Sequence, residues 1–438
     1  MTFEGVSKPL GVWRSWSLVV GTMIGSAVFM LPSVLAPYGG LSLVGWAISA
    51  AGTLCIALAL SALARRIPKI GGPYAYTLAA FGRLPAFLIA WGYWIALWSA
   101  IAAISVAFVG YFGVFVPSIG ASPLWQAAVA ISATWILVGI NMAGLRTAGT
   151  VQLVTTLLKL APLVLISTMG LVAGDISMAF SPAAATDQSF ILMMAGIVIL
   201  TMGAFIGVEA ATVPADDTVD PAKTIPRALM WGTITATIVY MLATAGVMSL
   251  VPGDALAASS SPFADAAEML LGPGGSRLVA IGAMISILGA LNANVLLSGQ
   301  MPRAAALDGL FPPVFSRLNS HGAPYASILV SGVVATGLIL MNYTKGVVAA
   351  FQLLLALTTL ATLIPYAASG AAEAVLQYRE RKGGQALRLG TLAAAGGAVI
   401  FSLFAILGSG IETSIYGLLL FAAGLPIYAV FGRPRLRK

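Results

Sequence analysis

The sequence predicts an all-α, polytopic membrane protein of twelve spanning helices, and three observations carry that prediction. Of its 438 residues 59% are hydrophobic and only 8% are charged, whereas soluble domains carry about 25% charged residues. Twelve apolar segments of about the length that crosses a bilayer, roughly 20 residues, can be read at 11–35, 41–64, 84–115, 125–144, 150–172, 190–214, 228–250, 277–300, 324–343, 348–371, 389–409 and 412–431. The third observation is an internal repeat: GTMIGSAVFMLP at Gly21–Pro32 returns 182 positions later as GAFIGVEAATVP at Gly203–Pro214. Glycine, isoleucine, glycine and proline keep the same offsets in both copies: Gly21/Gly203, Ile24/Ile206, Gly25/Gly207 and Pro32/Pro214.

Glycine weakens a helix and proline removes a backbone donor, so the repeated pattern predicts that spans one and six break near mid-membrane. Broken helices at matching positions of two halves point to a transporter's substrate site. Close helix packing through small residues would explain either Gly-x-x-x-Gly alone, but not the coinciding prolines. Two halves of five spans each, 11–172 and 190–371, contain the repeat. An odd number of spans per half sends the second copy into the membrane from the opposite face, which makes the repeats inverted. Spans eleven and twelve, within 389–431, fall outside them, and residues 1–438 read as one transmembrane domain.

Basic residues set the orientation. With twelve spans, nineteen of the 22 Lys and Arg lie on the side of the termini, only Arg277 and Lys345 lie opposite, and Lys159 is left inside a span. The termini are therefore expected in the cytoplasm. The net charge of +8 needs no nucleic acid as partner. One cysteine, Cys55, provides no internal disulfide, and one histidine, His321, supports neither a His-rich metal centre nor a membrane-embedded catalytic triad. No enzyme activity, cofactor or metal is expected.

In chain order, the polar first ten residues lack the pattern of a removable signal peptide, and Trp13 and Trp16 suit an interfacial aromatic belt. Gly25, Ser26 and Ala27 offer backbone amides and a hydroxyl at the first break, fit for a carboxylate. Arg65–Tyr76, after span two, and Ser298–Pro313, after span eight, are rich in glycine, proline and charge and read as cytoplasmic loops with the character of gates. For Arg65 and Arg66 positive-inside anchoring suffices. Lys159 stands alone in span five, where it can carry a proton or act as a fixed cation between spans one and five; snorkelling to the interface is the plainer alternative.

In span six, Phe205, Ile206 and Gly207 can present carbonyls to an ammonium, and Glu209 follows them as the only carboxylate near the middle of any span. An ionisable group at that depth costs at least about 2.5 kcal/mol and marks function by default. It can bind a proton or hold a cation, or it can cap freed amides. Tyr93, Asn292, Asn294, Thr358, Thr359 and Thr362 are polar positions in spans three, eight and ten, suited to inter-helix hydrogen bonds or to ligand contact.

These residues resemble the amino acid, polyamine and organocation transporter superfamily, in particular its basic amino acid and polyamine antiporters. The resemblance covers nearly the whole chain and rests on Gly21–Pro32, Gly71–Tyr76, Phe205–Glu209 with Pro226, Gly299-Gln300 and Asp308–Pro313. It implies a LeuT-like fold of two inverted five-helix repeats plus two helices, a homodimer, and alternating access in the bacterial inner membrane. By that pattern Gly25 and Ser26, beside Ile24, hold a substrate carboxylate, Ile206 takes the α-amino group, Tyr93 lines the site, and Glu209 is proton-sensitive. Thr358 falls where the arginine/agmatine exchangers of this branch use serine. The chain departs from their pattern at Ala27 (glycine), Ile101 (asparagine), Gly203 (an aromatic) and Asn294 (tryptophan), so a guanidinium loses its cation–π partner. Lys159 is similar to the lysine of proton-coupled members.

The function expected is exchange of amino acids and amines, with proton-coupled symport of neutral or small cationic amino acids as the alternative. A nutrient sensor would need a soluble domain to relay its signal, and a channel a continuous pore.

Overall fold

In a computed structural model the chain is described at residues 11–67, 72–143, 160, 163–180, 189–212, 218–382 and 386–432. Lys159 and Pro214 lie outside these residues. Every regular element described is helical: α1 Val12–Met23, α2 Ser26–Leu35, α3 Leu41–Arg66, α4 Pro73–Phe81, α5 Arg83–Phe112, α6 Pro123–Met142, α7 Leu163–Ala173 and α8 Ile176–Ala179. After these come α9 Phe190–Ala204, α10 Pro221–Met248, α11 Gly253–Ala258, α12 Pro262–Leu307, α13 Tyr325–Asn342, α14 Val347–Lys382, α15 Leu389–Leu407, α16 Gly410–Ala422 and α17 Gly424–Ile427.

Among the described residues nine helices are long and apolar enough to cross a bilayer, or ten when α1 and α2 count as one bent span. The remaining two expected spans, 150–172 and 190–214, fall partly outside the described residues and show there as the shorter apolar helices α7 and α9.

Both predicted breaks are present. α1 and α2 meet at 42°, with Ile24 and Gly25 out of helical conformation between them. Gly25 is tight as well as bent: a Cβ there would stand 3.1 Å from that of Ala290 on α12. α9 stops at Ala204, a turn occupies Phe205–Gly207, and a 3-10 segment follows over Val208–Thr212. Gly207 has φ 102°, a conformation that only glycine adopts without strain. The carbonyl of Ala204, freed by the break, accepts a hydrogen bond of 2.7 Å from Tyr240 on α10. Tyr240 in turn stacks on Trp46 of α3, with ring centroids 4.9 Å apart.

The loop read at Ser298–Pro313 is more helical than expected. α12 runs through 298–307 because Arg303-Ala-Ala-Ala-Leu307 is a run of good helix formers after Pro302. α12 is itself interrupted earlier, at Gly272 with φ 72°. α14 also continues eleven residues past the expected end at 371, carried by a stretch of helix-favouring Ala, Glu, Leu, Gln and Arg to Lys382.

Lipid tails give no hydrophobic drive for one helix to leave them for another, so packing and polar contacts hold such a bundle, each inter-helix hydrogen bond contributing roughly 0.6 kcal/mol. Ser49 and Thr201 join α3 to α9 at 2.7 Å, Ser105 and Thr134 join α5 to α6 at 2.7 Å, and Asn141 donates to Asn292 across α6 and α12 at 2.8 Å. Trp13 is exposed, as an interfacial residue should be, while Trp16 turns inward and donates to Thr235 on α10 at 3.2 Å.

Candidate functional site

The two breaks face each other. Thr22, in the last turn of α1, places its hydroxyl 3.2 Å from the carbonyl oxygen of Gly207, while also donating to Leu18 and Val19 in its own helix. A Cβ on Gly207 would come within 2.9 Å of the Thr22 side chain. The repeated glycine therefore serves the turn and the contact at once.

Immediately after the second break lies Glu209, 1% exposed. Tyr93 of α5 donates to one carboxyl oxygen at 2.7 Å. Tyr366 of α14 donates to the other, which also accepts the Gly207 amide at 3.2 Å. No lysine or arginine among the described residues forms an ion pair with it. Three donors from three parts of the fold thus hold one carboxylate. A cation arriving at either carboxyl oxygen competes with these donors, and so with the links among α5, α14 and the broken span.

The N-terminus of α2 is open. Gly25 at its cap provides no side chain, the first-turn amides have no side-chain acceptor, and the Ser26 hydroxyl makes no hydrogen bond to a described residue. An N-terminus of this kind favours an anion.

The other positions singled out by sequence divide clearly. Ile24, Ala27, Ile101 and Gly203 are buried, and Ile206 is half-buried at the turn. Thr358, Thr359 and Thr362 each donate to a carbonyl of their own helix, as Asn294 does to Ala290 at 2.9 Å. At Gly203 a Cβ would meet Thr359 Oγ1 at 2.7 Å and Leu355 Cδ1 at 2.8 Å, so the space beside Gly203 is filled from α14. Lys159 lies outside the described residues.

Tyr366 and Thr22 were not singled out by sequence reasoning. A tyrosine directly after Pro365 in the tenth span was a usable signal for the first; Thr22 sits inside the repeated motif, where the glycines draw the attention.

The two flagged loops do meet. Tyr74 of α4 donates to Asp308 at 2.7 Å, and Arg83 donates to the Gly309 carbonyl at 3.1 Å. Burial, then the Asp308 hydrogen bond and charge, push the Tyr74 phenol well above its usual range, against a smaller opposing effect of Arg83, so it remains a donor. At the same end Arg66 pairs with Glu373 and Glu380, each at 3.0 Å. Arg66 thus does more than anchor: it ties α3 to α14.

A bundle of apolar helices, two of them interrupted around a buried carboxylate, defines a membrane transporter. The chain belongs to the amino acid permease family, whose model it matches over residues 10–426. It is similar to the putrescine transporter PotE of Escherichia coli K12, 27% identical over 433 residues covering 98% of this chain and 97% of that one. It is also similar to the cadaverine/lysine antiporter of the same strain, 32% identical over 371 residues covering 82% of each. Among solved structures a Na+-coupled sialic acid symporter in its substrate-bound, outward-open state matches with a TM-score of 0.57 over 93% of this chain and 91% of that one. At 15% identity that likeness concerns the fold alone.

Proposed function

We propose that this chain exchanges amino acids and their amine products across the bacterial inner membrane by alternating access, binding its substrate where the two interrupted helices face each other. The observation that carries the reading is the Glu209 carboxylate, held by Tyr93, Tyr366 and the Gly207 amide directly after the second break. The printed names of the relatives, a putrescine transporter and a cadaverine/lysine antiporter, support amine-bearing substrates and exchange.

In this reading the open N-terminus of α2, at Gly25, Ser26 and Ala27 beside Ile24, receives the substrate carboxylate. The Ile206 carbonyl takes the α-amino group. Tyr93, Ile101, Gly203, Asn294 and Thr358 border the site, and Glu209 is the proton-coupling carboxylate. Leu355 and Thr359 packed on Gly203 favour aliphatic amines over a guanidinium that needs an aromatic face. Lys159 belongs to the same proposal as a second proton or charge site. The wider frame is twelve spans as two inverted five-helix repeats, 11–172 and 190–371, plus two helices within 389–431, with cytoplasmic termini and a homodimeric assembly.

Radiolabelled uptake into proteoliposomes tests this, with liposomes loaded in turn with lysine, ornithine, arginine, putrescine, cadaverine, alanine or nothing. Uptake that requires a loaded amine, and that Glu209→Ala abolishes or strips of its pH dependence, supports exchange. Accumulation of a neutral amino acid in empty liposomes under an inward proton gradient, stopped by Lys159→Ala, replaces it with symport.

A further inference from the structure

At the end of α14 opposite the Arg66–Glu373 pair, a cavity of about 420 Å³ opens between α9, α14 and the α15–α16 turn. Its volume is within the range of sites for small organic molecules, about 300–1,000 Å³. Lys345 and Glu412 stand at it, joined Nζ to Oε1 at 2.6 Å. Tyr38, Gln352 and Thr413 also line it, and none of the three makes a side-chain hydrogen bond to a described residue. Thr413 is 3% exposed as a residue and lines the cavity, which leaves its hydroxyl available to a molecule bound there.

This cavity is separate from the proposed substrate site. Ala349, Gln352, Leu353 and Ala356 form one stripe of α14 that faces it. Thr358 lies nine residues beyond Ala349, which at 3.6 residues per turn is two and a half turns and so the opposite face. Apart from Ser409 the remaining wall is apolar, and Leu192 and Leu407 at its rim are 50% and 62% exposed, so its open side is apolar.

We propose that the cavity binds an amine-bearing zwitterionic phospholipid. Its ammonium would rest on Glu412 and its phosphate on Lys345, with Gln352 and Thr413 completing the head-group contacts and the acyl chains leaving over Leu192, Leu353 and Leu407. The Lys345–Glu412 pair is neutral as a unit, and a zwitterion preserves that neutrality. An anionic lipid would leave an uncompensated charge beside Glu412. Glu412 also accepts hydrogen bonds at short distance, which a primary ammonium can donate and a trimethylated one cannot.

The test is native mass spectrometry and thermal unfolding of the full chain in detergent with added phosphatidylethanolamine, phosphatidylcholine or phosphatidylglycerol, and with phosphoethanolamine or lysine as soluble competitors. Gly196 lines the cavity and a Cβ there meets nothing within 4 Å, so Gly196→Met fills the space without crowding the helix. Thr413→Val alters a head-group contact, and Glu412→Gln alters another together with the Lys345 ion pair. The expected result is one retained phosphatidylethanolamine, preferred over the other two lipids by about tenfold or more. Gly196→Met should lose it and Glu412→Gln should lose the preference, with each variant folded as judged by its own unfolding transition. Equal retention of all three lipids, or equal retention by Gly196→Met and the parent, overturns the proposal. Displacement of the lipid by lysine but not by phosphoethanolamine also overturns it and makes the cavity an amino acid site.

Discussion

The hydroxyl of Tyr366 donates to the carboxylate of Glu209 across 157 residues of chain. α14 is thereby tied to the short segment that follows the break in the sixth expected span, and Tyr93 adds α5 to the same carboxylate at 2.7 Å.

Tyr366→Phe removes one donor from a buried charged acceptor, a loss of roughly 1.5–3 kcal/mol. Exchange in proteoliposomes should fall by about tenfold to a hundredfold, while elution and unfolding in detergent show a folded protein. Transport equal to that of the parent would remove Tyr366 from the mechanism.

Gly207 and Gly196 make opposite predictions for the same change. Gly207→Ala puts a Cβ 2.9 Å from Thr22 at φ 102°, so it should lower both the unfolding temperature and uptake. The left-handed conformation alone costs about 1–2 kcal/mol. Gly196→Ala, with open space around it, should leave both within experimental scatter.

Gly203 tests how tightly α9 packs on α14. Gly203→Ala should impair uptake, because its Cβ would lie 2.8 Å from Leu355 and 2.7 Å from Thr359. Adding Leu355→Ala and Thr359→Ala should recover part of the loss, a non-additive result that only neighbouring side chains produce. Independent, additive effects would show that these residues do not share the space.

Arg66→Ala leaves Glu373 buried without its cation, since the two side chains are 16% and 0% exposed. Stability should drop by about 3–5 kcal/mol, measured by chemical unfolding in detergent. Arg66→Ala with Glu373→Gln should restore most of it, because the uncompensated charge is then gone.

Much of the fold was legible along the chain because its cues are local. Runs of about 20 apolar residues must be helices in a bilayer, where every backbone group needs an internal partner. The repeat marked both breaks, and the offset glycines named Gly25 and Gly207, since backbone conformation at a break depends mainly on the residue there. The lone mid-span carboxylate named Glu209 for a similar reason: its expense in the membrane is visible from its neighbours. Helix ends were less legible, as at Leu307 and Lys382, where polar but helix-favouring residues carry α12 and α14 beyond the apolar runs.

The sequence by itself determined the membrane class, the family, the two interrupted helices and the presence of a carboxylate beside one of them. Only the tertiary structure decided which side chains hold that carboxylate, that Thr22 meets Gly207, that Leu355 and Thr359 occupy the space at Gly203, and that a polar-lined cavity lies behind α14. The physical reason is separation along the chain. Helix formation and membrane insertion are read from a few consecutive residues, whereas Tyr93, Glu209 and Tyr366 come together only after three distant segments have packed, and no local pattern records which tyrosine will face which acid.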